Sequence, residues 1–210
     1  MSVNREATSN YNEQGGKKWV VNGELEVNGD FNMTGTQTNS TDPITTVNTG
    51  TASTGVTATE TGNGTLHRTV LTVDEFTQAI AGAALGFGKE LYTFPEGVVK
   101  VRYGTVDLTI SAPTETGTPD VGVGTVVATG AIDALNGTAT FEDIVDGFTA
   151  TAITSGGSDT NNYVEAEAGL LDGHSTAKKA FLNFAETWTA TENLTISATV
   201  TLIWEFLGDY

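Results

Sequence analysis

The clearest alternation of apolar and polar positions lies near the C-terminus. Leu194, Ile196, Ala198, Val200, Leu202, Trp204 and Phe206 share one parity, opposite Thr195, Ser197, Thr199, Thr201 and Glu205. Period-two patterning predicts a strand with one buried face, and a face that long needs a second sheet over it, hence a sandwich. Val98 to Ala112 reads as another long strand whose phase flips: Val99, Val101 and Tyr103 before Gly104, then Val106, Leu108, Ile110 and Ala112 after it. A β-bulge or bend at Gly104 would insert the odd residue. Further strands are predicted at 66–73, 85–94, 121–128, 138–141, 163–168 and 180–188, separated by Gly-, Pro- and Asn-containing turns. Two segments also carry a helical signal. Thr72 to Glu75 has the form of a capping box, with Phe76, Ala79, Ile80 and Ala83 at helical spacing behind it, and Phe181, Phe184, Ala185 and Trp188 repeat that spacing. In an all-β context both are read as strands, helix being the alternative at 74–84 and 177–188.

The N-terminal part is organised differently. Residues 1 to 16 form a polar arm ending in Gly15-Gly16. From Trp19 onward the odd positions Trp19, Val21, Leu25, Val27, Phe31 and Met33 are apolar, interrupted by Gly23 and Gly29, while the even ones except Val20 are polar. Val21-Asn22-Gly23-Glu24-Leu25-Glu26 is followed directly by Val27-Asn28-Gly29-Asp30-Phe31-Asn32, a six-residue strand-and-turn repeat. About two and a half copies cannot bury a core alone, so the apolar stripe is expected to face a symmetry axis between chains, a trimeric prism being the natural arrangement. Residues 36–64, rich in Thr, Ser, Gly and Asn, are expected to be a connector, with a Thr-rich strand pair packed on the main domain as the alternative. The resulting organisation is an arm and repeat at 1–35, a connector at 36–64, and an antiparallel, jelly-roll-like sandwich at 65–210.

Composition narrows the function. Thr supplies 38 of 210 residues, and 9 Lys+Arg against 26 Asp+Glu give a formal charge of −17. That charge repels phosphate backbones, so nucleic acid is not an expected partner. The absence of Cys removes disulfides, thiolate metal sites and a Cys nucleophile. The longest nearly apolar run, Ala79 to Gly88, is half a membrane span, and the polar first residues lack a secretory signal; the expected chain is soluble and made in the cytoplasm.

No catalytic constellation emerges. His67 and His174 lack metal-pair spacing, and His174-Ser175, neighbours in a turn, would point apart. Gly86-Phe87-Gly88-Lys89 fails as a phosphate loop, because its first Gly falls at Ala83 and Glu90 replaces the Ser/Thr. Asp30 to Thr41 starts like a calcium loop but lacks the closing Glu; Asp143, Asp146 and Asp159 remain as acidic loop positions. The expectation is a non-enzymatic protein without cofactor, catalytic residues or metal ligands.

Tyr11-Asn12-Glu13-Gln14-Gly15-Gly16-Lys17-Lys18-Trp19, leading into Gly23-Glu24-Leu25-Glu26-Val27, resembles the N-terminal motif of head-fibre proteins of tailed bacteriophages. Leu91 to Gly97, Val121 to Val126, Ser175 to Lys178 with Leu182 to Ala185, and Trp204 to Tyr210 are similar to pieces of structural proteins that decorate or cement phage capsids. The resemblance implies a virion protein without catalysis, assembled as a trimer on the major capsid protein at the capsid exterior. Within it, Tyr11, Gly15, Gly16, Lys17, Lys18 and Trp19 are the expected capsid anchor. Trp19, Val21, Leu25, Val27, Phe31 and Met33 are the expected oligomer interface. The short repeat favours a small knob over a long fibre. The competing reading is a receptor- or glycan-binding module of a fibre tip, with a host-surface glycan as partner.

Overall fold

The computed structural model describes residues 11–12, 19–20, 48–62, 64–165 and 170–209. The chain divides into two compact units, Met1–Thr38 and Asn39–Tyr210. In the first, β1 (Tyr11–Asn12) pairs antiparallel with β2 (Trp19–Val20), setting Tyr11 opposite Val20 and Asn12 opposite Trp19.

The second unit is built of strands, as the alternation predicts. β3 (Thr51–Ala52), β4 (Val56–Gly62), β5 (Leu66–Ile80) and β6 (Ala84–Thr93) are followed by β7 (Gly97–Ser111), β8 (Asp120–Gly124) and β9 (Val145–Thr149). β10 (Ser158–Glu165), β11 (Leu170–Gly173), β12 (Lys179–Thr187) and β13 (Glu192–Gly208) complete the unit. One sheet runs β10-β7-β13-β5-β4, with β11 taking over from β10 along β7; the other runs β3-β6-β12-β8-β9. Every pairing between named strands is antiparallel. Counting β10 and β11 as one interrupted strand, the eight from β5 to β13 lie in the orders first-eighth-third-sixth and second-seventh-fourth-fifth. That is a jelly roll, with β4 and β3 added at the edges.

β13 is central in its sheet, flanked by β7 and β5, which is why one face of it must be apolar throughout. Leu194, Ile196, Ala198, Val200, Leu202 and Trp204 are all buried against Val121, Val123, Leu182, Phe184 and their neighbours in the single main core. Each fully buried Leu or Val stabilises the fold by about 2 kcal/mol in transfer terms. Both segments with helical spacing are strands: β5 and β12 lie in antiparallel ladders with β13 and β6, each with one register shift, and packing between sheets overrides their local helical signal.

Several boundaries are corrected. Thr51–Ala52 and Val56–Gly62, placed in the connector by their polarity, are strands of the sandwich, so the domain starts before residue 65. They read as linker because they lie at sheet edges, and in β4 only Val56 is a buried hydrophobic. The phase flip in β7 is real, but the extra residue is Arg102: Ile203 pairs with Tyr103 and Trp204 with Val101. Tyr103 is accordingly half-buried rather than in the inward set. Residues 139–141 form a single 3₁₀ turn rather than a strand, closed by the Phe141 N–H donating to the Thr138 carbonyl at 2.9 Å. β8 stops at Gly124, four residues short of its predicted end, whereas β5 runs on to Ile80.

Candidate functional site

The outer face of the β3-β6-β12-β8-β9 sheet carries small residues along part of its middle, with Phe181 beyond them opposite Gly124. On β6 the outward positions include Gly86 and Gly88, on β8 Gly122 and Gly124, and on β12 between them Asn183 and Ala185. The segment 125–144 lies flat on this floor. An added Cβ at Gly124 would strike the Phe141 backbone, and one at Gly86 would meet Ile132 Cδ1 at 2.5 Å. The two Gly-x-Gly strings therefore serve close approach of the chain, not a phosphate. Asn183 is completely buried beneath the cover. Its Oδ1 accepts the Ala128 N–H at 2.9 Å, and its Nδ2 donates to the carbonyls of Val126 at 2.9 Å and Phe141 at 2.7 Å. Ala128, Leu135 and Ala185, with Ile132 and Phe141, form a second small core there.

Where the cover returns to β9, an open acidic cup of about 500 Å³ forms, lined among others by Asp120, Asp133, Asn136, Glu142, Asp146 and Phe148. Asp120 Oδ2 accepts the Leu135 N–H at 2.7 Å. A Cβ added at Gly147 would displace the Glu142 carboxylate and press on Asp120 Oδ1 at 3.1 Å. Burial, and after it the charges of Asp120 and Asp146, push the Glu142 carboxyl above its ordinary value; burial, with a smaller part from Asp146, does the same to Asp120. Clustered carboxylates with raised pKa values can accept hydrogen bonds from hydroxyl groups.

Asp143 and Glu115 serve the loops. Asp143 accepts from the Thr125 N–H at 2.6 Å and the Thr125 hydroxyl at 2.7 Å, pinning both ends of the cover together. Glu115, 1 % exposed, accepts the N–H groups of Thr116, Gly117, Thr189 and Ala190 and so ties two loops. His67 is buried, whereas His174 is exposed and pairs with Asp209 at 2.9 Å, leaving Ser175 without a base. Among the described residues no group of three His, Cys, Asp or Glu is arranged to hold a metal ion, and no helix is long and apolar enough to cross a membrane.

Of the expected anchor, β1 and β2 bring the chain at Tyr11 and Trp19 side by side. Gly15, Gly16, Lys17 and Lys18 lie outside the described residues, as do Val21, Leu25, Val27, Phe31 and Met33 of the expected interface. The cup, the cover and its Asn183 pin were not singled out by the sequence reading; outward glycines flanking a lone Asn in an apolar strand were the available signal. No family model, no curated protein and no solved structure matches the chain.

Proposed function

We propose that this chain is a non-enzymatic structural protein of a virion. In this reading it decorates or cements the capsid of a tailed bacteriophage as a head-fibre or auxiliary capsid protein. It is synthesised in the host cytoplasm and sits as a homotrimer on the major capsid protein. What carries the reading is the motif from Tyr11 to Val27, in a unit separate from an acidic jelly roll. The arm is polar and carries the pair Gly15-Gly16, a composition that suits a segment following a groove between capsid proteins. Lys17 and Lys18 beside Tyr11 and Trp19 suit an acidic, partly apolar seat. A strongly negative outer domain keeps dense copies on one lattice from associating.

The test is binding of the full chain, and of a variant lacking residues 1–20, to tailed-phage capsids stripped of decoration. Saturable binding by the full chain and its loss in the truncated one are expected. Full occupancy by a folded, truncated protein assigns the contact to the sandwich; no binding by either removes the capsid reading. The cup favours the second reading, a glycan-binding module, since Asp120, Asp133 and Asn136 in its lining offer acceptors for hydroxyl groups. A glycan array with the full chain separates the two.

A further inference from the structure

A buried polar cluster ties the first strands of the sandwich to both sheets, and none of the functions above uses it. Glu60 stands on β4, the edge strand. Its Oε2 accepts the phenolic O–H of Tyr92, which comes from β6 in the opposite sheet. Its Oε1 lies 2.7 Å from Nδ1 of His67 on β5. The Tyr92 oxygen in turn accepts the Gly50 N–H at 2.6 Å. His67 is fully buried, stacked on the Trp204 indole with ring centroids 4.0 Å apart and planes 9° from parallel, and its Nε2 has no hydrogen-bond partner. The Trp204 N–H donates instead to the Thr69 hydroxyl at 2.8 Å.

The hydrogen bonds assign the protons. With Nδ1 of His67 as the donor, Glu60 accepts on both oxygens, from the Tyr92 O–H on one and from His67 on the other, as a carboxylate does. His67 is then neutral, with a bare lone pair at Nε2. A second proton on the ring would place a charged N–H where nothing accepts it. A proton on Glu60 would turn one accepting oxygen into a donor facing a donor. Burial above all, and then the bond and charge of Glu60, hold the Tyr92 hydroxyl far above its ordinary pKa, so it remains a donor throughout. The groups facing His67 are Glu60 from β4, Tyr92 through Glu60 from β6, Thr69 from its own strand and Trp204 from β13. A proton taken up at Glu60 therefore breaks one of the cluster's contacts, and one taken up at His67 Nε2 leaves a charged N–H buried without an acceptor.

We propose that Glu60, His67 and Tyr92 form an acid-released latch, which holds Gly50 and β4 on the sandwich at neutral pH and frees them on proton uptake while the jelly roll stays folded. β4 is the element that yields because it pairs with β5 alone and contributes one buried hydrophobic, Val56, whereas β13 is paired along both sides. The freed stretch lengthens the covalent path from the N-terminal unit at roughly 3.3 Å per residue.

Hydrogen–deuterium exchange of the full chain at pH 7.5 and 4.5, normalised to intrinsic rates, tests this. Peptides covering 51–62 should lose at least tenfold in protection at the lower pH while β13 peptides keep theirs. Glu60→Gln and His67→Phe, the second keeping a ring against Trp204, should each diminish that pH response. Unchanged protection of 51–62, its loss together with β13, or a full pH response in both variants would overturn the latch. The wild-type comparison decides even if a variant does not fold.

Discussion

Asn183 Oδ1 accepts the backbone N–H of Ala128 at 2.9 Å across the outer face of a sheet, where a buried strand residue and a loop residue 55 positions away share one bond. With its two donated bonds, this amide satisfies three backbone groups of the cover. Asn183→Ala should therefore leave Ala128 N–H, Val126 C=O and Phe141 C=O unpaired, at about 1–3 kcal/mol for each group that stays dry. A fall of roughly 3 kcal/mol in urea denaturation, with early proteolysis confined to 125–144, is the expected result. Asn183→Asp should be no better, since it sets a carboxylate against two carbonyls.

The glycine floor predicts a graded series. Gly124→Ala drives a methyl into the Phe141 backbone and should cost over 2 kcal/mol. Gly86→Ala meets only the flexible end of Ile132 and should cost less. Gly137→Ala, with nothing within 4 Å and an ordinary backbone angle, should stay within about 0.5 kcal/mol of the parent. Thermal unfolding of the three variants checks the order; equal losses would mean that the cover does not depend on close approach.

This pattern also marks where sequence reading stops. The alternation from Leu194 to Trp204 was legible because every second side chain enters one core, and burial of all six follows. The strand at Val121 was legible too, but not why its outward residues are glycines, because the chain that covers them lies in segment 125–144. Arg102 rather than Gly104 is the bulge because its place is set by the partner strand β13, not by the local residue. Asp120 and Asp146 are brought together by sheet pairing between β8 and β9, and Glu142 joins them from the end of the cover, so their spacing carried no motif. The edge strand β4 looked like linker because its Thr residues face outward and only Val56 and Glu60 do visible work inside.

Two carboxylates should respond to pH in opposite directions. Burial would raise the Glu115 carboxyl, but the N–H groups of Ala190, Thr189, Gly117 and Thr116 outweigh it and hold it below its ordinary value of 4.5. Its contribution is thus present above pH 4.5 and lost as pH falls through the lowered folded value. Glu115→Gln should lower the Tm at pH 7 and flatten the acid limb of the stability curve. Glu142 is raised from 4.5, by burial first and then by its acidic neighbours. It favours the fold when protonated in acid, and that contribution is lost as pH rises through the raised folded value. Glu142→Gln should raise the Tm at pH 7 and give no gain at pH 3.5. Parallel behaviour of the two variants would contradict the assignment.

The apolar stripe of the N-terminal repeat makes the last prediction. Val21, Leu25, Val27, Phe31 and Met33 occupy one parity of a strand pattern too short to bury them within one chain. Burying five such side chains per chain at roughly 2 kcal/mol each amounts to about 10 kcal/mol, which must exceed the cost of ordering the strand and immobilising three chains. Three copies around an axis bury each stripe twice over, against two neighbours, whereas a dimer leaves one flank in water. Sedimentation equilibrium should therefore report a trimer of the full chain at micromolar concentration. Leu25→Asp with Val27→Asp should give a monomer that keeps the near-ultraviolet circular dichroism of Trp188 and Trp204, which sit in the sandwich core, and loses only the contribution of Trp19. A full chain that stays monomeric at high concentration, or a double variant that stays trimeric, would move the assembly surface off the repeat.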